Sequence, residues 1–472
     1  MKLNTVIFKI ILCFFLWFLC NAVTSNPVLA RTGAQSPAAV SKRAGENSRV
    51  CTKGRSRHCQ VSARPLTQPM PPLSKAPYPC EVPLAPVIEN ARLRLGKETV
   101  VYHPWSRNRS EKREVKLALA NVKTGEIKIA SGWIKQQTLF LEGSDIRFEV
   151  EWWNGFNSSI NILEPARTAV VALLYALEPE RQKFLGRPAV LYTPYSSALL
   201  QPELVQAGRS YLLDKISRAC TELGQVKSRV FSEKSLLHAP FFTREDYSNV
   251  ILAEQMDPGR FCSIASESTR LNDRQEEELM RLAERILVII GANRKDAYNF
   301  TGSCAGARGL TQFTTMGMAA VWNNYPDSGI TRNFRKATGD HVSAIKAEIC
   351  LLDNYAAELI DAYPKLMWSG YEKYAAAAAY NGGPERVVYG LEHFGVRWLN
   401  PRARLAQLSE KKDLTRNERL EYQWLTRNQC HETFIYLMKL HAIERFQKNQ
   451  RSSSTPVRTV AHVPPIEKSS VQ

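Results

Sequence analysis

Two short segments constrain this chain more than anything else in it. Residues 302–313 read Gly-Ser-Cys-Ala-Gly-Ala-Arg-Gly-Leu-Thr-Gln-Phe, small side chains gathered around one amide, Gln312. Glycines at this density let a backbone turn sharply and come close to another surface or a ligand. Further along, Ala379-Tyr380-Asn381-Gly382-Gly383-Pro384 closes an alanine-rich helix with a glycine pair, and a new helix restarts at the proline. Both segments belong to a helical half, expected from near Thr243 to about 447. The last residues, 448–472, are polar and proline-spotted and are expected to be disordered.

The part before it has a different period. Glu98-Thr99-Val100-Val101-Tyr102, Glu126-Ile127-Lys128-Ile129 and Ile146-Arg147-Phe148-Glu149-Val150 alternate or cluster β-formers, with glycine turns between several of them. An α+β fold follows: a small β-rich N-terminal region at 83–230, with accessory helices at about 166–183 and 203–222, then a mainly helical domain at 235–447. The Trp152-Trp153 pair fits either core packing or stacking on sugar rings. Residues 31–82 read as a flexible basic leader. Residues 1–30, with Lys2 and Lys9 around an apolar run and Val28-Leu29-Ala30 at its end, read as a signal peptide cleaved after Ala30. No later apolar run is long enough to span a bilayer. The expectation is an exported protein without a transmembrane segment.

The net charge of +18 favours acidic partners. Export makes nucleic acid a poor fit and an anionic cell-wall polymer or membrane surface a better one, although the charge could equally serve solubility alone. Eight of the ten cysteines lie beyond the signal, an even number that permits disulfides without choosing among their pairings. Cys262 and Cys304 are one candidate bridge. No Cys-x-x-Cys pair, His-Glu-x-x-His run, Gly-x-Ser-x-Gly elbow or phosphate loop occurs. Neither a metal nor another cofactor is implied.

A carboxyl group kept neutral by burial can serve as a general acid, and three glutamates ahead of the glycine-rich segment compete for that role. Glu254 ends a helix that starts on a Thr243–Asp246 capping box. Tyr247, Val250, Ile251 and Glu254 share one face, and the helix C-terminus disfavours a negative charge there. Read locally, the same residue fits a frayed, solvated terminus equally well. Glu284 lies opposite the stripe Leu279, Leu282, Ile286 and Ile290, on a face where Glu277, Arg281 and Arg285 pair at i,i+4, which reads as solvated. Glu267 sits in Ser266-Glu267-Ser268 without a long apolar helix ahead of it.

The two glycine-rich segments together resemble the lysozyme-like domain of lytic transglycosylases, enzymes that cut the glycan strands of bacterial peptidoglycan. The resemblance covers about 240–400. In the commonest arrangement the glutamate would fall at Asn293-Arg294, where this chain has no carboxylate. A second branch, similar to membrane-bound lytic transglycosylase B, inserts a helix between its glutamate and a segment like 302–313. Here that helix would be 274–290 and the glutamate Glu254. The 379–381 element is more similar to the soluble-type branch.

The resemblance implies a lysozyme-like helical domain at 235–447 and a periplasmic, cell-wall-associated lyase. It implies that Glu254 protonates the glycosidic oxygen of the MurNAc–GlcNAc β-1,4 bond and that the sugar's own 6-hydroxyl attacks, leaving 1,6-anhydro ends. Ser303, Gly309 and Gln312 would hold the glycan, with Tyr380 and Asn381 lining the far wall. A water-using muramidase and a catalytically inactive wall-binding scaffold are the alternatives.

Overall fold

The computed structural model describes residues 79–104, 112–135, 138–142, 145–152, 157–236, 241–265, 271–300, 302–303, 305–428 and 431–453. The signal peptide, most of the 31–82 leader, Trp153, Glu267, Cys304 and the chain after 453 lie outside them.

The chain is α+β. Helix α1 (Leu84–Leu95) precedes eight strands: β1 (Tyr102–His103), β2 (Lys112–Asn121), β3 (Ile127–Lys135), β4 (Thr138–Leu141), β5 (Arg147–Trp152), β6 (Ser159–Glu164), β7 (Thr168–Ala176) and, after the short helix α2 (Pro179–Leu185), β8 (Ala189–Tyr192). They form one antiparallel sheet in the order β4-β3-β2-β7-β6-β5, with β1 added to β2 and β8 to β7. One face packs α1 through Leu84, Ile88 and Leu95. The other closes on its own core of Val115, Leu117, Leu119, Ile134, Ile160, Val170 and Leu173.

Two expectations are corrected here. The helix placed at 166–183 is instead strand β7 followed by α2. Thr168–Ala176 is buried along nearly its whole length and bonded to β2 on one side and to β6 and β8 on the other. A strand covered on both faces reads as a continuous apolar run, a pattern shared with a buried helix. Residues 84–95, on the boundary between the expected leader and β region, form α1, whose Leu84, Ile88, Ala91 and Leu95 recur at helical spacing and are all buried.

Helix α3 (Pro202–Glu222) lies where it was expected and leads into the helical half. There follow α4 (Arg244–Gln255), α5 (Pro258–Ala265), α6 (Asp273–Asn293), α7 (Thr315–Asn324), α8 (Phe334–Gly339), α9 (His341–Ala362), α10 (Glu372–Gly382), α11 (Pro384–Phe394), α12 (Pro401–Ser409), α13 (Arg416–Asn428) and α14 (Glu432–Ser453). The last helix runs past 447, so the start of the expected disordered tail is also corrected. Among the described residues, no helix is long and apolar enough to cross a membrane.

Helices α3 and α6 meet through glycines. A Cβ on Gly208 would stand 1.9 Å from the Leu287 carbonyl oxygen, and one on Gly291 would stand 2.4 Å from that of Leu204. Sheet and helices share one continuous core, and buried polar contacts fasten them. Glu151 on β5 accepts from Arg260 Nη2 at 2.5 Å and from Ser159 Oγ at 2.8 Å. Asn293 Oδ1 accepts from Thr193 N at 2.7 Å and from Arg92 Nη1 at 3.2 Å, while its amide donates to Thr193 O at 2.9 Å. Position 293, where the commoner motif spacing would put a glutamate, is therefore a clasp between α1, the segment after β8 and α6.

Arg285 departs from expectation as well. Arg281 does pair with Glu277, at 2.5 Å. Arg285, however, is buried, donates to Asn157 O at 3.4 Å and lies over the Tyr195 ring at 4.6 Å. The sheet covers this part of α6, so the face read as solvated is partly interior. Glu284 is correspondingly half-buried, and burial pushes its carboxyl above the usual range.

Candidate functional site

Helix α4 starts on the expected box: Thr243 Oγ1 accepts from Asp246 N at 3.2 Å, and Asp246 Oδ2 accepts from Thr243 N at 2.8 Å. Its other end carries the chemistry. The ammonium of Lys439, on α14, donates to Ala253 O at 3.2 Å and Met256 O at 2.5 Å, satisfying carbonyls that the last turn leaves open. Gln255 Nε2 donates to Gly309 O at 3.1 Å and Leu310 O at 2.8 Å, tying the helix end to the glycine-rich loop.

Glu254 sits between these contacts, at a cavity of about 430 Å3. As a residue it is half-buried, but its Oε1 is sealed from solvent and has no hydrogen-bond partner. Burial raises its carboxyl to about 7, against the opposing pull of Lys439 and a hydrogen bond from the Tyr436 hydroxyl, with Glu432 adding a smaller upward push. The Tyr436 hydroxyl itself donates to Val250 O at 3.5 Å. Burial in turn draws the Lys439 ammonium down, and Glu254 pulls it back up. A carboxyl group at about 7 is half protonated at neutral pH, which suits a proton donor that must also take its proton back.

The cavity collects α4 and α5 on one side, Leu282, Arg285, Ile286 and Ile289 of α6 below, and Tyr298, Phe300, Gly302, Ser303 and Gln312 opposite; Asn157, Tyr175 and Arg181 bring the sheet region to its edge. Glu254, Ser303 and Gln312 thus share one space. Gly309 holds the loop rather than the space. It has φ 75°, and a Cβ there would lie 2.3 Å from Thr338 O. Gln312 adopts φ 48°, outside the usual range for a side-chain-bearing residue. Its amide donates to Gly309 O at 2.8 Å, so it braces its own loop while facing the cavity. Ser303 Oγ likewise accepts from Ala307 N at 3.0 Å.

Tyr380 and Asn381 stand behind the wall instead of lining it, a correction to their expected place. The Tyr380 hydroxyl donates to Thr311 O at 2.7 Å and its ring meets Phe313 edge-on at 5.8 Å, so it fixes the back of the loop. Asn381 is half-buried, with Oδ1 sealed and unpartnered. Tyr380→Phe is expected to lower stability by about 1 kcal/mol, the usual loss with one buried hydrogen bond, and urea unfolding of the two proteins would read it.

Sequence reasoning missed Lys439, Tyr436, Asp257 and Arg260. Asp257 lines the cavity and accepts from the Arg260 backbone N at 2.7 Å, starting α5. Lys439 carried a usable signal, since it interrupts the otherwise apolar run 434–440. The proposed Cys262–Cys304 bridge involves a position outside the described residues. Among the described residues, no cluster of three or more His, Cys, Asp or Glu is placed to hold a metal ion.

Compared with known protein families, curated proteins and solved structures, the chain matches none of them.

Proposed function

We infer that this protein is a peptidoglycan lytic transglycosylase, exported to the periplasm, whose helical half is a lysozyme-like catalytic domain. The observation that carries the reading is Glu254: a carboxyl group raised to about 7 by burial, sharing one cavity with Ser303 and Gln312 of the glycine-rich loop. An acid so placed can protonate the oxygen between two sugars as the bond to C1 breaks. It then holds a negative charge, which the Tyr436 hydroxyl and the Lys439 ammonium stabilise. In that state it can accept the proton of the sugar's 6-hydroxyl as this attacks C1, closing the anhydro ring without water.

Asp257 gives the water-using muramidase a specific foothold, because among the residues lining the cavity it is the other carboxylate. A retaining or inverting hydrolase needs a second carboxylate to attack C1 or to activate water. The bond from the Arg260 backbone already engages one oxygen of Asp257, which favours the transglycosylase.

Mass spectrometry of digested sacculi separates the readings. Anhydro-muramyl ends, formed by wild-type protein and by Asp257→Asn but not by Glu254→Gln, are expected. Reducing ends that disappear with Asp257→Asn would establish the muramidase. Binding without any released product would leave a scaffold.

The acid form of Glu254 is the one that works, and it is lost as pH rises through about 7. The initial rate on sacculi should therefore hold on the acid side and fall about tenfold per unit on the alkaline side, in a series over roughly pH 5 to 9.

A further inference from the structure

Three arginines border the cavity that holds Glu254: Arg181 of α2, Arg260 of α5 and Arg285 of α6. Arg260 and Arg285 are 4% and 5% exposed. Guanidiniums taken this far out of water need carboxylates beside them. Glu151 supplies one, accepting from Arg260 Nη2 at 2.5 Å and from Ser159 Oγ at 2.8 Å. Burial pushes its carboxyl up, but Arg260, Ser159 and Arg285 together outweigh burial and hold it below the usual range, so it is charged. Asp257, at the same cavity, has one oxygen engaged by the Arg260 backbone N. Arg260 Nε and Nη1 are nevertheless sealed without a hydrogen-bond partner. Buried donors are nearly always satisfied, so this wall is short of acceptors.

Two further guanidiniums stand at the rim. Arg308 Nε lies 4.0 Å from the place a Cβ on Gly302 would take, and Arg187 lies 5.1 Å from the centre of the Phe300 ring. Gly302 and Phe300 both line the cavity. Arg181 shares the Glu178 carboxylate with Arg113, each at 3.1 Å. Among these residues positive groups outnumber negative ones, and a concave space with low-dielectric walls focuses their field inward. Arg181 is the member within reach of a ligand. It is half-exposed, and its pair with Glu178 runs through Nε, which leaves both Nη groups for the two oxygens of a carboxylate.

We propose that the arginine wall is a carboxylate subsite, in which Arg181 binds a carboxylate carried by the muramyl unit of the glycan. Arg260 and Arg285 stand behind it and supply fixed positive charge that draws the anion in. This rests on the function proposed above and gives the sheet region a task there, the choice of acidic over neutral glycan. The carboxylate has two sources: the lactyl group of a peptide-free muramyl unit, or the stem peptide joined to that group.

Titration calorimetry on Glu254→Gln protein, which leaves the glycan uncut, tests the subsite. The probes are three soluble oligosaccharides of equal length: peptide-free muramyl glycan, stem-bearing muramyl glycan and a neutral N-acetylglucosamine oligomer. At least one muramyl glycan is expected to bind about tenfold more tightly than the neutral oligomer, the scale of one charge-assisted hydrogen-bonded pair. The tighter of the two names the source. Adding Arg181→Ala should remove that preference by weakening the muramyl glycan alone, and Arg181→Lys, which keeps the charge without the fork, should retain part of it. Because Arg181 is half-exposed, its truncation should leave the fold intact. Equal affinity for neutral and muramyl glycans, or a loss on Arg181→Ala that is the same for all three probes, would overturn the proposal. Digestion of sacculi by wild-type protein reads the activity separately. A carboxylate preference without cutting would keep the subsite and reject the transglycosylase, and cutting without the preference would do the reverse.

Discussion

Glu254→Gln is expected to lower the rate of sacculus digestion by about a thousandfold, within the range that general acid catalysis supplies. The amide keeps the shape and polarity of the side chain but cannot give a proton to a leaving oxygen. Folding should not suffer. The wild-type carboxyl is already half protonated at neutral pH, and burial is the main reason for its raised value, so a neutral isostere loses little. The Tyr436 hydroxyl retains Val250 O, and Lys439 retains Ala253 O and Met256 O. The measurement is the rate of soluble muropeptide release at equal protein concentration, with circular dichroism to verify that the fold is intact. Undiminished release would remove Glu254 from the chemistry altogether.

The largest expected loss of stability lies elsewhere, at the crossing of α3 and α6. Gly208→Val places a branched side chain where even a Cβ would overlap the Leu287 carbonyl, at 1.9 Å. The obstacle is backbone, so no rotamer relieves it and the two helices must separate. Overpacking against a flexible side chain typically costs about 1–3 kcal/mol, and here at least about 3 kcal/mol is expected, enough to unfold a marginal domain. Because α6 supplies Leu282, Arg285, Ile286 and Ile289 to the cavity, any protein that still folds should bind glycan poorly. A melting curve unchanged from wild type would mean that the close approach of the helices is not present in solution.

Amphipathic periodicity made several elements legible. Thr243 and Asp246 mark the start of α4, and the apolar stripe Leu279, Leu282, Ile286 and Ile290 marks α6. Strand β7 was not legible. Thr-Ala-Val-Val-Ala-Leu-Leu-Tyr-Ala is apolar throughout, and only pairing with β2, β6 and β8 decides between strand and helix. Arg285 failed for a related reason: i,i+4 charge spacing is the same on a solvated face and on one that a second layer covers.

Local pattern put Glu254 on the inward face of its helix, since cap and period act over one or two turns, whereas its pairing with 302–313 was implied only by the resemblance. It could not decide between a frayed terminus and a buried acid. That decision belongs to the burial around the carboxyl, and to Lys439 and Tyr436, which α14 brings to the helix end from far along the chain. Desolvation and charge coupling depend on distance in space, and a carboxyl group's proton is set by whatever the fold packs around it.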